Sequence, residues 1–359
     1  MHPFLCVSAA GAAAVLFVVA VAPAQTTVTL PCVQDNTLYE SPTGALSNGA
    51  GEALFVGVTG QTSNARRRAL LRFDIAAAIP AGAFIVSARL GVTTIQSSFP
   101  GNIVVTGHRV TRAWGEGTSI APGGGGSGGA ATTGDATWIH SVLPGALWTN
   151  PGGDYVASAS LRFSTQPLGP TASATTAAAI ADVQRWLDNP ATNFGWLLRT
   201  NEGGSGMTRK IDSRETTTGT PPSLTVSYLL PSQTGQYGAT CPTGITSLSY
   251  RITAPAIGGG VGAFVQSNGP PGQLAANLIS LEFDADGLLL FPTCPFYLTL
   301  GPTLVSHSIV VLGATGGASV PAAFPAGFPG LRLFAQSAVL ASASPSGYVL
   351  SNAAIAVIQ

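Results

Sequence analysis

The chain has 359 residues, and its 15 basic and 15 acidic side chains give a formal net charge of +0. Charged residues make up 8% of the sequence, against about 25% in ordinary globular proteins. These values exclude the strongly basic surface of a nucleic-acid binder, and the 45% hydrophobic content excludes a wholly disordered chain.

The first 24 residues have the pattern of a secretory signal peptide. Residues 4–22 are almost wholly apolar, and Ala22, Pro23 and Ala24 form an A-x-A-like cleavage site before Gln25. We therefore expect a protein that is secreted or held at the cell surface, with an uncleaved N-terminal anchor as the alternative. No later stretch is long and apolar enough to predict a membrane span.

Residues 25–230 predict a first domain that consists mainly of strands. Residues 68–75 alternate between apolar and mostly polar side chains, which is typical of a half-buried strand. Further stretches rich in β-branched residues and bounded by Gly or Pro are residues 84–95, 103–114, 194–199 and 223–228.

One segment of this domain, residues 175–189, predicts a helix. Its apolar side chains recur at helical spacing at Ile180, Val183 and Leu187. Pro190 follows directly and cannot continue a helix, so we expect the helix to end before it.

The distribution of charged and aromatic residues changes near residue 230. Residues 25–230 contain 13 of the 15 basic residues and all five tryptophans. Residues 231–238 are rich in turn-forming residues and predict a linker, and residues 239–359 predict a second domain of short strands. The sequence therefore predicts an all-β protein with two β-sandwich domains, of which the first carries one docked α-helix.

Eight sequence blocks of the first domain occur in the order and at the spacing of a known family. The blocks are residues 35–40 (DNTLYE), 68–74 (RALLRFD), 109–118 (RVTRAWGEGT), 134–138 (GDATW), 182–186 (DVQRW), 193–198 (NFGWLL), 212–215 (DSRE) and 222–228 (PSLTVSY). With these blocks, residues 28–228 resemble the DNRLRE domain, a secreted bacterial β-sandwich module. Part of that family is classed as carbohydrate-binding module family 96, so the resemblance implies a jelly-roll fold and glycan binding.

Residues 123–129 and 143–153 look like insertions relative to the family. The end of the chain looks like an uncharacterised β-sandwich of large secreted bacterial proteins.

Three cysteines remain after the predicted cleavage, namely Cys32, Cys241 and Cys294. Secretion exposes them to an oxidising environment, and an odd number allows one bridge and one leftover thiol. We favour a Cys241–Cys294 disulfide because both residues lie in the C-terminal segment. Cys32 is then either free and buried or bonded to another chain.

Exposed aromatic rings and arginines are the side chains that we consider first for sugar binding. Trp148 lies in a loop-like stretch and is the tryptophan that we expect to be exposed. Arg66, Arg67 and Arg68 form a basic cluster suited to an acidic polysaccharide, with a solvated strand entry as the alternative. Arg109 completes the candidate ligand residues. We expect the remaining tryptophans to be structural, namely Trp114, Trp138, Trp186 and Trp196.

The sequence indicates no cofactor other than a possible structural calcium ion. Asp35, Asn36, Glu40 and Asp74 supply oxygen ligands near one edge of the first domain, and calcium prefers several such ligands. The alternative is that these residues form turns through their side chains. Asp284 and Asp286 in the second domain admit the same two interpretations.

Residues 125–129 match the G-x-S-x-G pattern of serine hydrolases, but they lie in a glycine-rich loop without the strand and helix that this motif needs. His140, Tyr155 and Arg109 are the residue types that a polysaccharide lyase uses, although nothing in the sequence places them together. We therefore expect a protein that is not an enzyme.

The function that we expect is non-catalytic binding of a polysaccharide or cell-surface glycan. The alternative is a structural surface or adhesion protein that assembles through its C-terminal sandwich, suggested by residues 320–329, which we expect to form an apolar, Pro-rich loop. A polysaccharide lyase or hydrolase is the third hypothesis.

Overall fold

The computed structural model describes residues 25–241, 247–253, 255–291 and 294–359. The predicted signal peptide, residues 1–24, lies outside the described residues. Strands account for 47% of the structure and helices for 6%, which confirms the predicted all-β class. Within the described residues, no helix has the length and hydropathy that a membrane span requires.

The first half of the chain, residues 25–230, forms one large sheet with two helices. In chain order its elements are β1 (Thr26–Tyr39), β2 (Leu46–Ser47), β3 (Ala53–Val58), β4 (Arg66–Phe73), α1 (Ile75–Ala78), β5 (Phe84–Ser97), β6 (Ile103–Arg109), β7 (Gly129–Ala130), β8 (His140–Val142), β9 (Ala146–Leu147), β10 (Leu161–Thr165), β11 (Gly169–Ala172), α2 (Ala177–Asp188), β12 (Trp196–Arg199), β13 (Met207–Asp212) and β14 (Ser223–Leu229).

The large sheet curls back on itself because β1 pairs with two strands. The strand order is β1-β14-β5-β13-β3-β4-β12-β6-β10, and β11 joins at β5. The first part of β1 pairs with β14 and its second part pairs with β4, with a register shift between Cys32 and Gln34. Such a bulge bends a strand, so β1 passes from one layer of the sandwich to the other.

Alternation along the strands fills the core between the two layers. On β4, Ala69, Leu71 and Phe73 lie in the core, as the sequence pattern predicts. Helix α2 covers this core, and the ring of its Trp186 meets that of Trp196 edge to face at 4.7 Å. The hydroxyl of Thr176 caps α2 by accepting a hydrogen bond from Ala179 N at 3.0 Å.

A long segment, residues 110–160, folds over the outer face of β1, β4 and β12, and we call it the cap. The cap carries only short strands, β7, β8 and β9. It is held by a small hydrophobic core of its own, in which cap tryptophans pack on the outward side chains Leu38, Leu70 and Leu197. The outer face of the sheet is therefore covered at one end and open at the other.

Within its described residues, the second half of the chain contains strands but no helix. Its elements are β15 (Thr234–Tyr237), β16 (Ser249–Ile252), β17 (Val261–Ser267), β18 (Leu274–Ser280), β19 (Phe283–Phe291), β20 (Cys294–Leu298), β21 (Val305–Val311), β22 (Ala318–Ala323), β23 (Arg332–Leu340) and β24 (Tyr348–Val357). They form a sheet in the order β15-β24-β23-β18-β21, a sheet in the order β16-β17-β22, and the hairpin β19-β20.

Two sequence expectations change in this half. The predicted linker, residues 231–238, contains β15, which pairs with β24 and so belongs to the C-terminal sheet. The apolar residues 320–329 begin in β22, and only their later part is a loop.

The predicted Cys241–Cys294 disulfide is confirmed, and Cys32 is free and buried.

The two halves share a hydrophobic interior. Phe84 and Leu229 of the first half lie in the same cluster as Phe334 and Ile355 of the second half. A hydrogen bond also joins the halves, because the first turn of α2 donates from Ala177 N to Asp286 Oδ1 at 2.9 Å. The second half therefore completes the end of α2 and covers apolar side chains of the first.

Candidate ligand groove

The open part of the outer sheet face carries a row of arginines. Cross-strand pairing places Arg162 on β10 opposite Thr106 on β6, and Thr106 opposite Arg199 on β12. The neighbouring strand β4 continues this row with Arg68. The two carboxylate oxygens of Glu202 link Arg68 to Arg199. Oε1 accepts a hydrogen bond from Arg68 Nε at 2.7 Å, and Oε2 accepts one from Arg199 Nη2 at 2.8 Å. The sheet thus aligns three guanidinium groups from strands that are distant in sequence.

A groove of about 550 Å³ lies over the part of this row that contains Arg162 and Arg199, whereas Arg68 is buried beside it. Among its lining residues are Asn102, Thr106, Arg162, Arg199 and Asn201, together with the apolar side chains of Phe99, Val104 and Met207. Arg162 is exposed and forms no ion pair within the described part of the chain. Two hydrogen bonds fix the position of Arg199. Its Nη2 atom donates to Glu202, and its Nη1 atom donates to the Tyr155 hydroxyl at 2.6 Å. The groove therefore offers one fixed and one free guanidinium.

His108 forms part of the groove wall and is fully engaged within the protein. Its Nδ1 atom lies 3.0 Å from Val156 O and its Nε2 atom lies 3.0 Å from the Thr106 hydroxyl. Burial lowers the pKa of His108, so the ring is neutral near pH 7. Its ring also packs on Tyr155, with the two centroids 5.1 Å apart. His108 thereby positions Tyr155, which in turn contacts Arg199.

The structure exposes only one of the three arginines that the sequence places side by side. Arg67 points to the opposite side of β4, is 1% exposed, and donates hydrogen bonds to Asn64 O and Gly126 O. Arg68 is buried against the Trp138 ring at 4.8 Å. Arg66 alone is exposed, and it pairs with Glu40 at 2.7 Å. The expectation of a joint surface cluster is wrong because Arg67 faces the opposite side of the strand, and Arg68, on the same side as Arg66, is buried against the Trp138 ring.

Trp148 is also placed differently from the expectation. It is 5% exposed, and its Nε1 atom donates to Thr137 O at 2.9 Å inside the cap. Its loop-like sequence context indicated exposure, but the cap folds back and buries the ring beside Trp114 and Trp138. The structural role expected for the other tryptophans is confirmed by their burial.

Arg109 and the residues considered for lyase chemistry do not meet. The Nε atom of Arg109 pairs with Asp182 Oδ1 at 2.9 Å, which ties β6 to α2. His140 Nδ1 lies 3.0 Å from the Thr137 hydroxyl within the cap. Tyr155 instead contacts Arg199 and His108. Arg109 is thus a structural residue, and sequence reasoning missed Arg162 and Arg199 because neither has a local motif.

The four residues that we considered for calcium have separate partners. Asn36 Oδ1 accepts hydrogen bonds from Thr37 N and the Ser47 hydroxyl. Glu40 pairs with Arg66, and Asp74 Oδ1 accepts from Ala77 N at 3.3 Å to cap α1. These three side chains do not surround one point, so the predicted four-residue site is wrong.

Asp35 lies in a different group of acidic residues. One carboxylate oxygen from each of Asp35, Glu116 and Glu215 lies within 4.8 Å of the others. Burial, followed by the negative charge of Glu215, raises the pKa of Asp35, and burial also raises the pKa of Glu215. Glu116 and Glu215 both fall in sequence blocks that carry the family resemblance, which is the signal that could have found them.

Comparisons with known proteins do not identify this chain. No family model matches it, and a search of curated proteins finds no significant match.

Proposed function

We propose that the protein is secreted and binds an anionic polysaccharide, without cleaving it, in the groove over β6, β10 and β12. The observation that carries the proposal is the exposed Arg162 without an ion-pair partner in the described chain, set across from the fixed Arg199. The resemblance of residues 28–228 to a family with glycan-binding members supports the same function.

The groove chemistry favours a polymer of uronate sugars over a neutral one. A guanidinium binds a carboxylate through two parallel hydrogen bonds, which are stronger than hydrogen bonds between neutral groups. Amide side chains such as Asn102 and Asn201 suit sugar hydroxyls, because each amide both donates and accepts. Apolar side chains along the same wall, among them Phe99, suit the less polar faces of sugar rings.

The engagement of His108 supports binding without cleavage. A lyase needs a base that removes the proton beside the uronate carboxylate, and that base needs an available nitrogen or oxygen. Both ring nitrogens of His108 already contact Val156 O and the Thr106 hydroxyl. The Tyr155 hydroxyl accepts from Arg199, which gives it a role in holding that arginine.

Affinity electrophoresis of the full chain tests this proposal. We expect polygalacturonate in the gel to slow the protein and a neutral β-glucan to leave it unaffected. Arg162→Ala removes an exposed side chain, and we expect about a ten-fold loss of affinity, the size of one charge-assisted contact. Arg251→Ala is the matched control, because it removes an exposed arginine from the second half.

Equal retardation of Arg162→Ala and wild type would contradict the groove as the binding site. Formation of unsaturated uronate products by the purified protein would contradict the non-catalytic role.

A second candidate function, self-assembly, has its own supporting observation in the second half. Strand β21 is the edge of its sheet, and Ile309 and Val311 on it are exposed apolar residues that share one face. Leu274 pairs with Val311 and is exposed as well, which widens the apolar strip across two strands. An uncharged strip of this kind is complementary to a second copy of itself.

Light scattering of the full chain tests the self-assembly candidate. We expect dimers or larger species for the wild type at high protein concentration, and monomers for Ile309→Lys. A wild type that stays monomeric at every concentration would contradict this function.

A further inference from the structure

Three segments that are far apart in the sequence bring the carboxylates of Asp35, Glu116 and Glu215 together. Asp35 lies in β1 shortly after its bulge, Glu116 lies at the start of the cap, and Glu215 follows β13. We call this group the carboxylate cluster. Any group bound between these side chains connects the cap to β1 and to the turn after β13.

The backbone around Glu116 is tightly fixed, so the cluster is a built feature of the fold. Glu116 O accepts a hydrogen bond from Asn36 Nδ2 at 2.8 Å. Gly117 has a φ of +72°, and a Cβ atom there would lie 1.6 Å from Asp135 Oδ1. A side chain on Gly49 would likewise meet Glu116 O at 1.7 Å. Two glycines thus allow the chain to approach closely at the point where Glu116 enters the cluster.

One arginine partly compensates the negative charge of the carboxylate cluster. Arg214 Nε lies 2.6 Å from Glu116 Oε1 and 2.8 Å from Glu215 Oε1, and Arg214 N donates to Asp35 Oδ2 at 2.7 Å. Among the ion pairs of the described residues, no second cation reaches these carboxylates. When all three carboxylates are ionised, as cation binding requires, the one guanidinium of Arg214 leaves two negative charges uncompensated.

Two oxygen atoms of the carboxylate cluster have no hydrogen-bond partner. Asp35 is 0% exposed, and its Oδ1 atom is buried without a donor. The Oε2 atom of Glu215 is also buried without a donor. A buried carboxylate oxygen loses its hydration and needs a compensating partner, so both atoms have an unmet need that a positively charged ligand would satisfy.

We infer that the carboxylate cluster of Asp35, Glu116 and Glu215 binds one divalent cation of the calcium type. The ion's two positive charges match the two negative charges that Arg214 leaves uncompensated. The donors are all oxygen atoms, which hard cations such as Ca²⁺ prefer, whereas zinc and copper sites use nitrogen or sulfur. The side chains of Glu116 and Glu215 are each 20% exposed, so water has access to complete the six to eight ligands that calcium takes.

Such an ion acts as a clamp for the cap. Because Glu116 belongs to the cap, while Asp35 lies in β1 and Glu215 in the turn after β13, binding favours the closed arrangement over one in which the cap has detached. The cation site is independent of the polysaccharide groove, which uses a different set of residues.

Calorimetric titration of the metal-stripped full chain with CaCl₂ alone tests the inference. We expect one equivalent of Ca²⁺ to bind, and saturating Ca²⁺ to raise the melting temperature by about 5 °C over EGTA. Glu215→Gln removes one ligand charge from a partly exposed side chain, and we expect its Ca²⁺ affinity to fall by about ten-fold or more. Asp35→Asn should abolish binding.

Glu40→Gln is the matched control, because Glu40 pairs with Arg66 outside the carboxylate cluster. We expect it to bind Ca²⁺ as the wild type does. Because Asp35→Asn alters a buried residue and can impair folding, Glu215→Gln provides the deciding comparison, with circular dichroism to verify its fold. Wild-type protein that shows no binding heat and the same melting temperature in EGTA and Ca²⁺ overturns the inference, as does unchanged affinity in Glu215→Gln. Binding of Mg²⁺ but not Ca²⁺ overturns the calcium assignment.

Discussion

The two halves of the chain connect their β-strands with different side-chain interactions. In the described residues, every ion pair joins two residues of the first half, within residues 40–215. In the second half, uncharged amides take this role. Gln336 bridges strands through Tyr297 N at 2.9 Å and Ser351 O at 2.8 Å, and Asn352 Oδ1 accepts from Tyr250 N at 2.9 Å.

This difference has a cost and a benefit for each half. Charged groups respond to pH and salt, whereas buried amides that are fully hydrogen-bonded do not. The first half gains a polar surface and charged sites, and its stability depends on solution conditions. The second half has no ion pair among its described residues, and it leaves apolar side chains such as Ile309 and Phe328 in water.

The largest expected effect comes from the covalent link of the second half. Replacing Cys241 and Cys294 by Ala opens a loop whose ends are 53 residues apart. We expect the free energy of unfolding to fall by about 4 kcal/mol, because the unfolded chain regains the entropy of the open loop. Urea unfolding followed by circular dichroism measures this change.

A reducing agent should destabilise the wild type by a similar amount and leave the double variant unaffected. If wild type and double variant unfold at the same urea concentration, the second half does not depend on its disulfide.

The next effect concerns the charged network of the first half. Asp182 accepts from Trp196 Nε1 at 2.9 Å and pairs with Arg109 at 2.9 Å. Asp182→Ala leaves a largely buried cation and an indole N–H without partners, so we expect a loss of about 3 kcal/mol in urea unfolding. Asp188→Ala removes an exposed carboxylate from the same helix and should change stability by less than about 0.5 kcal/mol. Equal effects of the two variants would show that Asp182 is not essential to the network.

The smallest effect is a dependence on pH that belongs to the first half. Burial lowers the pKa of His108 below its ordinary value of 6.5, so the unfolded chain binds a proton more readily than the native one. The associated stability is therefore present above pH 6.5 and is lost as the pH falls through the native pKa. We expect the melting temperature of the wild type to fall by a few degrees more than that of His108→Gln between pH 7 and pH 5. If the melting temperatures of the two proteins fall by the same amount between pH 7 and pH 5, the assignment to His108 is wrong.

The sequence predicted those elements whose pattern is local. Alternation identified β4, and the spacing of Ile180, Val183 and Leu187 together with Pro190 identified α2 within two residues of its observed ends. The disulfide followed from the positions of the cysteines. The pattern of neighbouring residues was sufficient to predict β4 and α2, and the number and positions of the cysteines were sufficient to predict the disulfide.

The candidate sites were harder to predict because they depend on long-range pairing. The groove joins Arg162 and Arg199 through the register of β6, β10 and β12, which composition does not encode. Trp148 is buried by a fold-back of the cap that its loop-like sequence conceals. Arg66, Arg67 and Arg68 illustrate the opposite error, since adjacency in a strand puts Arg67 on the other face from Arg66, and burial removes Arg68 from the surface.

The shared interior of the two halves also bears on how such a chain can evolve. Domains that move between genes usually carry a polar surface of their own. In this chain, Phe84, Val86 and Leu229 of the first half are buried in a cluster that residues of the second half complete. A rearrangement that transferred the first half alone would leave these side chains facing water and α2 without Asp286. We therefore expect the two halves to be inherited together as one unit.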